Sequence, residues 1–205
     1  MIAGLPDPVS LATFLGAGLV LNLTPGADVM FAMASGVRGG WRAGVAAAAG
    51  VSAGSMIHVT LTAFGAAALF AAWPPGFATL RWAGAGYLLW LAWRSWQGGG
   101  DAETTRGAQT LGRAARQGLV TNVLNPKVAL FVLAFLPQFA DPAQGPVWSQ
   151  ILVLGTLFSI TGFVVTASYG GVAGLLRDRV AAAKRTLDRV AALVFTGLAL
   201  RLVWT

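Results

Sequence analysis

Gly18-Leu19-Val20-Leu21-Asn22-Leu23-Thr24-Pro25-Gly26-Ala27-Asp28 and Gly118-Leu119-Val120-Thr121-Asn122-Val123-Leu124-Asn125-Pro126-Lys127 are two versions of one phrase, with one extra residue before the second proline. Both lie inside apolar runs, so each reads as a helix interrupted in its middle. Proline removes a backbone donor and clashes with a carbonyl one turn back, and Gly26 adds freedom beside Pro25. In lipid the freed carbonyls must find partners, so such breaks persist only where protein or a wet cavity faces them. Asn22, Thr24, Asn122 and Asn125 supply amides and hydroxyls for that purpose, or for a bound molecule.

Around this phrase the chain is that of a membrane protein. Of its 205 residues 56% are hydrophobic and 10% charged, and the mean hydropathy is +0.69. An ordinary globular domain carries about 25% charged residues, while a bilayer span needs about 20 mostly apolar residues. Disorder is excluded by the apolar content. The absence of Cys excludes a disulfide scaffold or a cysteine-ligated metal. Apolar runs at about 9–34, 43–72, 77–97, 116–139, 147–170 and 186–204 read as six transmembrane helices. Trp41, Trp73, Trp96, Trp148 and Trp204 stand near the ends of these runs, where an amphipathic ring suits the headgroup region.

The net charge of +7 would suggest nucleic acid in a soluble chain, but its placement argues against that partner. All basic residues except Arg81, Lys127 and Arg201 cluster in three segments: Arg38 and Arg42; Arg94 to Arg116; Arg177 to Arg189. This is the positive-inside pattern, with the first, third and fifth connections cytoplasmic and both termini on the non-cytoplasmic side. Arg81 and Arg201 lie close to span ends, where long stems snorkel. Residues 9–23 are apolar and Ala32-Met33-Ala34 resembles a signal-peptide cleavage site, yet the preceding region has Asp7 and no basic residue and the apolar stretch runs too long, so it is kept as the first span. The polar stretch 97–109 reads as a flexible linker.

The expected fold is therefore an all-α membrane protein, a single domain over 1–205. Repeat 1 covers about 1–96, a cytoplasmic linker about 97–115 and repeat 2 about 116–205. With three spans per half, the second half lies upside down relative to the first. Six transmembrane helices form two inverted three-helix repeats with broken first and fourth helices, a pattern of secondary transporters in which the breaks mark a central binding site.

Asp28 follows the first break and Lys127 the second, each deep in its apolar run, where ionisable groups are costly and usually functional. The expected binding set is Asn22, Thr24, Pro25, Gly26, Asp28, Asn122, Asn125, Pro126 and Lys127. Lys127 and broken-helix backbone would receive a carboxylate, and Asp28 an ammonium or a coupling proton. Ammonium and proton exclude one another at one carboxylate, the minimal requirement for antiport; a plain buried ion pair is the structural alternative. His58 recurs at four-residue spacing with Gly50 and Gly54, glycines that allow close helix approach. His58 is a second proton-coupling candidate, or merely bonds a carbonyl. Thr156, Ser159, Thr161, Thr166 and Ser168 read as back-bonded helix residues. No metal site or cofactor is expected: one His and few carboxylates cannot build a multi-ligand centre, no phosphate loop is present, and Ser55 with His58 lacks the context of a nucleophile elbow.

Thr24-Pro25-Gly26-Ala27-Asp28, Gly36 to Gly44, Gly50 to His58, Gly84 to Leu89, Leu124 to Phe131 and Phe135 to Phe139 together resemble the lysine exporter (LysE) superfamily, in its homoserine/threonine (RhtB-type) efflux branch. The resemblance covers nearly the whole chain. It implies an inner-membrane exporter of amino acids driven by the proton-motive force, with an amino acid, protons and the lipid bilayer as partners. Ala27 departs from the family's usual second proline, which makes the first break less rigid. The other readings are a cation or metal exporter of a related branch, which would want more carboxylates or His in the spans, and a non-transporting membrane scaffold, which would need neither broken helices nor buried charges. The glycine-rich faces suit contacts within a subunit or in a homo-oligomer equally.

Overall fold

The computed structural model describes residues 6–72 and 110–204, with separate positions between 79 and 108; for 66–72, 174–188, 191, 194, 198 and 201–204 only the backbone is described. Every regular element among the described residues is helical.

Helix α1 is Pro8–Leu23. Its start follows from Asp7, whose carboxylate accepts from the backbone N–H of Val9 and Ser10, and from Pro8 in the first turn, where a missing donor costs nothing. Its end follows from Pro25: the residue before a proline is pushed out of the helical region, and Thr24 is extended at φ −71°, ψ 112°. The chain restarts as α2, Ala27–Gly39, after an extended Gly26, at 50° to α1. Gly40, at φ 79°, ends α2 in a conformation that favours glycine and turns the chain into α3, Trp41–Ala72.

The second break repeats this logic. Helix α4, Leu111–Val123, stops before an extended Asn125, and α5, Pro126–Phe135, begins with its proline in the first turn and the Asn125 side chain capping Lys127 N. The bend is 55°. Short 3-10 turns, Leu136–Phe139 and Pro142–Gln144, lead to α6, Val147–Trp204.

Two of these helices are long and apolar enough to cross a membrane, and each bent pair adds one more if it forms one span, four among the described residues. Leu61, Phe64, Ile160, Val164 and Leu193 face outward, each more than half exposed. An apolar outer surface of this kind is matched to lipid, and the chain is a multi-pass membrane protein. Inside, Phe14, Phe131, Phe135, Phe139 and Phe158 form a buried aromatic ladder with centroid spacings of 4.8 to 5.4 Å, joining α1, α5, the first 3-10 turn and α6.

Two expectations change, and a third falls largely outside the described residues. The basic stretch Arg177 to Arg189, expected as the fifth loop, lies within α6, because no Pro or Gly falls between Leu175 and Thr196 and the alanines there favour helix. The linker is shorter than 97–115: Leu111 to Ala115 already belong to α4, and Ala108 N donates to Ser35 Oγ on α2 at 3.1 Å. Most of the third span, with Arg81 and Arg94, falls outside the described residues, as do Trp73 before it and Arg106 after it; the positions described between Thr79 and Trp96 are helical.

Small residues set the helix spacing. A side chain at Gly50 would run into the Ala115 carbonyl, and one at Gly118 into the Ala47 carbonyl, so α3 and α4 touch backbone to backbone. Gly36 and Gly44 meet the backbone of Gly170 in the same way, bringing α2, α3 and α6 together. The backbones approach because no Cβ intervenes.

Candidate functional site

Every helix break leaves a particular carbonyl without its helical donor. Proline at position i cannot donate to residue i−4, so Pro25 orphans Leu21 O. Lys127 supplies the replacement: its Nζ donates to Leu21 O at 3.2 Å and to Thr24 O at 2.9 Å. The ammonium thus sits at the C-terminal end of α1, where the helix dipole favours a cation. Lys127 is 9% exposed, and its stem runs alongside Gly26, whose Cβ position lies 3.6 Å from Nζ.

Asp28 occupies the opposite electrostatic position, the first turn of α2, where the dipole favours an anion. Its Oδ2 accepts from Asn122 Nδ2 at 2.8 Å and from Asn125 Nδ2 at 2.9 Å. The Asn125 amide is oriented independently, because its Oδ1 accepts from Lys127 N at 3.0 Å and leaves Nδ2 to face the carboxylate. Each break therefore receives the polar side chains of the other. Asp28 is 7% exposed, and its Oδ1 has no hydrogen-bond partner among the described residues. A buried acceptor in that state is expensive unless something binds it.

Both breaks open onto one cavity lined by residues of α1 to α6. Its polar wall includes Asn22, Thr24, Asp28, Asn122, Asn125 and Lys127, and Gly26 completes that side. Asn22 Nδ2 donates to Thr161 Oγ1 at 3.2 Å and to Phe158 O at 3.4 Å, tying α1 to α6. Pro25 and Pro126 do not line the cavity: their rings shape the breaks, and Pro126 is exposed. His58 is also outside the lining; buried on α3, it lies 3.2 Å through Nε2 from the Asn122 carbonyl.

Ser159 and Thr166, read from the sequence as back-bonded, also belong to the wall, as do Ser52 and Ser55. Val51, Ser52 and Ser55 of α3 face Phe158, Ser159, Gly162 and Thr166 of α6 across the cavity, and the hydroxyls of Ser55 and Ser159 are 3.0 Å apart. The signal was spacing. Ser52 and Ser55, and Ser159, Gly162 and Thr166, recur at three and four residues on otherwise apolar helices. Thr156 and Ser168 are back-bonded as expected, to Leu152 O and Val164 O. Tyr169 adds a donor to the first break, its hydroxyl reaching Leu23 O at 3.2 Å. Among the described residues no three His, Cys, Asp or Glu gather to hold a metal. The wall thus brings one carboxylate, one ammonium, amides and hydroxyls around a single cavity.

A family model described as LysE type translocator matches residues 19–205. The chain is 35% identical over 162 residues to a homoserine/homoserine lactone efflux protein of Salmonella typhimurium, covering 78% of each chain. It is 29% identical over 198 residues to a leucine efflux protein of an Enterobacter species, covering 93% of each, and 27% identical over 197 residues to a leucine efflux protein of Klebsiella pneumoniae, covering 93% of this chain and 92% of the other. No solved structure matches.

Proposed function

This chain belongs to the LysE type translocator family, and we propose from that premise that it exports amino acids or close derivatives across the inner membrane by proton antiport. The observation that carries the coupling is Asp28: a buried carboxylate on the cavity wall, with one oxygen held by two amides of the second break and the other without a partner among the described residues.

In this reading Asp28 takes either the substrate ammonium or a proton, and the substrate carboxylate lies toward Lys127 and the broken backbone beside Thr24 and Gly26. Because one carboxylate serves both cations, loading from one side releases the other, and a proton gradient drives substrate outward. Leu21, Val29, Val51, Val128 and Phe158 supply apolar wall for the substrate side chain, with Ser52, Ser55, Ser159 and Thr166 as hydroxyl partners. Alternating access follows from two inverted halves rocking about this site, with the Arg38 and Arg42 connection on the cytoplasmic side and both termini outside. Support for the two halves comes from the paired bends of 50° and 55° and from the exchange of Asp28 and Lys127 between them.

The test is efflux of labelled homoserine and leucine from proteoliposomes, with and without a pH gradient. The wild-type chain is expected to respond to the gradient, and Asp28→Asn to lose that response while eluting as a monodisperse species. Transport by Asp28→Asn with unaltered rate and pH dependence would refute the assignment.

A further inference from the structure

The second proline removes a helical donor as the first does, though the carbonyl it affects keeps a backbone bond from Asn125 N. Pro126 has no N–H for the oxygen four residues back, which is Asn122 O. His58 Nε2 lies 3.2 Å from that oxygen. A carbonyl only accepts, so the Nε2 of His58 carries the hydrogen and donates it. His58 thereby does at the second break what Lys127 does at the first, each basic side chain replacing the donor that a proline lacks.

We propose that His58 is a positioning residue. It holds the end of α4 so that Asn122 presents its amide to Asp28, and it does not carry the exchanged proton.

Asn122 O also accepts from Asn125 N at 2.9 Å, so one oxygen fixes the turn from which both amides reach Asp28 Oδ2. Helix α3 is shaped for this contact. One turn before His58, a Cβ on Gly54 would lie 2.8 Å from Asn122 Cβ and 2.9 Å from Leu119 O, so the bare glycine lets α3 come close enough for the imidazole to reach. The four-residue spacing of Gly54 and His58 is thus room and bond on one helical face. A relay through this contact has no route: Asn122 O cannot take up and pass on a proton, and the amide that touches Asp28 is already a donor. The charged and titratable groups whose fields reach Asp28 among the described residues are Lys127 of α5 and His58 of α3.

This inference rests on Asp28 as the coupling site, and two measurements separate the two claims. His58 is the chain's single histidine, so nitrogen NMR of the untagged, histidine-labelled protein reads its protonated nitrogen without assignment, whether or not transport is coupled. Nε2–H is expected; the Nδ1–H tautomer, with bare Nε2, would overturn the proposal. In proteoliposomes, His58→Gln, which keeps a donor, is expected to retain the wild-type pH profile and most of the rate. His58→Phe is expected to lose about tenfold in rate, the effect of one buried hydrogen bond, with the pH profile kept. A shifted or flattened pH profile in His58→Gln, or a wild-type rate in His58→Phe, would overturn the positioning role.

Discussion

Replacing Lys127 with methionine preserves much of the stem while removing the charge and every donor. Leu21 O and Thr24 O each lose a bond, and their residues are 2% and 7% exposed, so water does not restore it. A buried group left unsatisfied costs about 1–3 kcal/mol, so two cost about 2–6 kcal/mol. The proline argument makes a sharper claim about how that loss divides. Pro25→Ala returns an N–H at position 25 within reach of Leu21 O, the ordinary i−4 acceptor. Lys127→Met in that background should then cost about 1–3 kcal/mol less than in the wild type, while the Thr24 share persists. Unfolding of the four proteins in mixed micelles, followed by far-ultraviolet circular dichroism during a denaturing-detergent titration, measures this coupling. If the two substitutions add within about 0.5 kcal/mol, the usual spread for independent sites, Lys127 is not standing in for the donor missing at Pro25.

Gly54→Ala should destabilise by about 1–3 kcal/mol, the cost of overpacking, because its Cβ would meet Leu119 O at 2.9 Å and Asn122 Oδ1 at 3.0 Å; Gly65→Ala on the same helix meets nothing within 4 Å and should not destabilise in the same detergent titration, since alanine favours helix over glycine. At the exposed start of α1, hydrogen bonding from Ser10 holds the Asp7 carboxyl below its usual 3.8. A depressed value stabilises the first turn above pH 3.8 and loses that effect as pH falls through the lower folded-state value, so amide exchange at Leu11, whose N–H bonds Asp7 O, should quicken at acid pH in wild type and show no such step in Asp7→Asn.

Pro25 and Pro126 act on their own few neighbours, so the ends of α1 and α4 could be read from the chain, whereas the first run, expected to stop near residue 34, continues to Gly39. The apolar runs at 43–72 and 147–170 were legible for the same reason, since a long unbroken run has one low-cost state in lipid. Distant partners were not. The linker's last residues dock on Ser35, and the Arg177 to Arg189 stretch continues a helix, because charge alone signals a surface and not a turn. Of the candidate wall, the half carrying ionisable or amide groups in rare contexts stood out. The Ser55 and Ser159 half did not, since a serine on an apolar helix usually bonds its own backbone.

Local chemistry thus determined where the helices break, which carbonyls lose their helical donors and that two ionisable residues sit deep in apolar runs. Only the tertiary structure decided what makes good those losses: Lys127 reaching Leu21 across 106 residues of chain, His58 meeting Asn122 across 64, and Asp28 held by amides from the other half. A proline specifies a missing bond by its covalent geometry, but the replacement comes from whichever side chain packing brings within hydrogen-bond reach, and that depends on how closely the glycines let the helices approach.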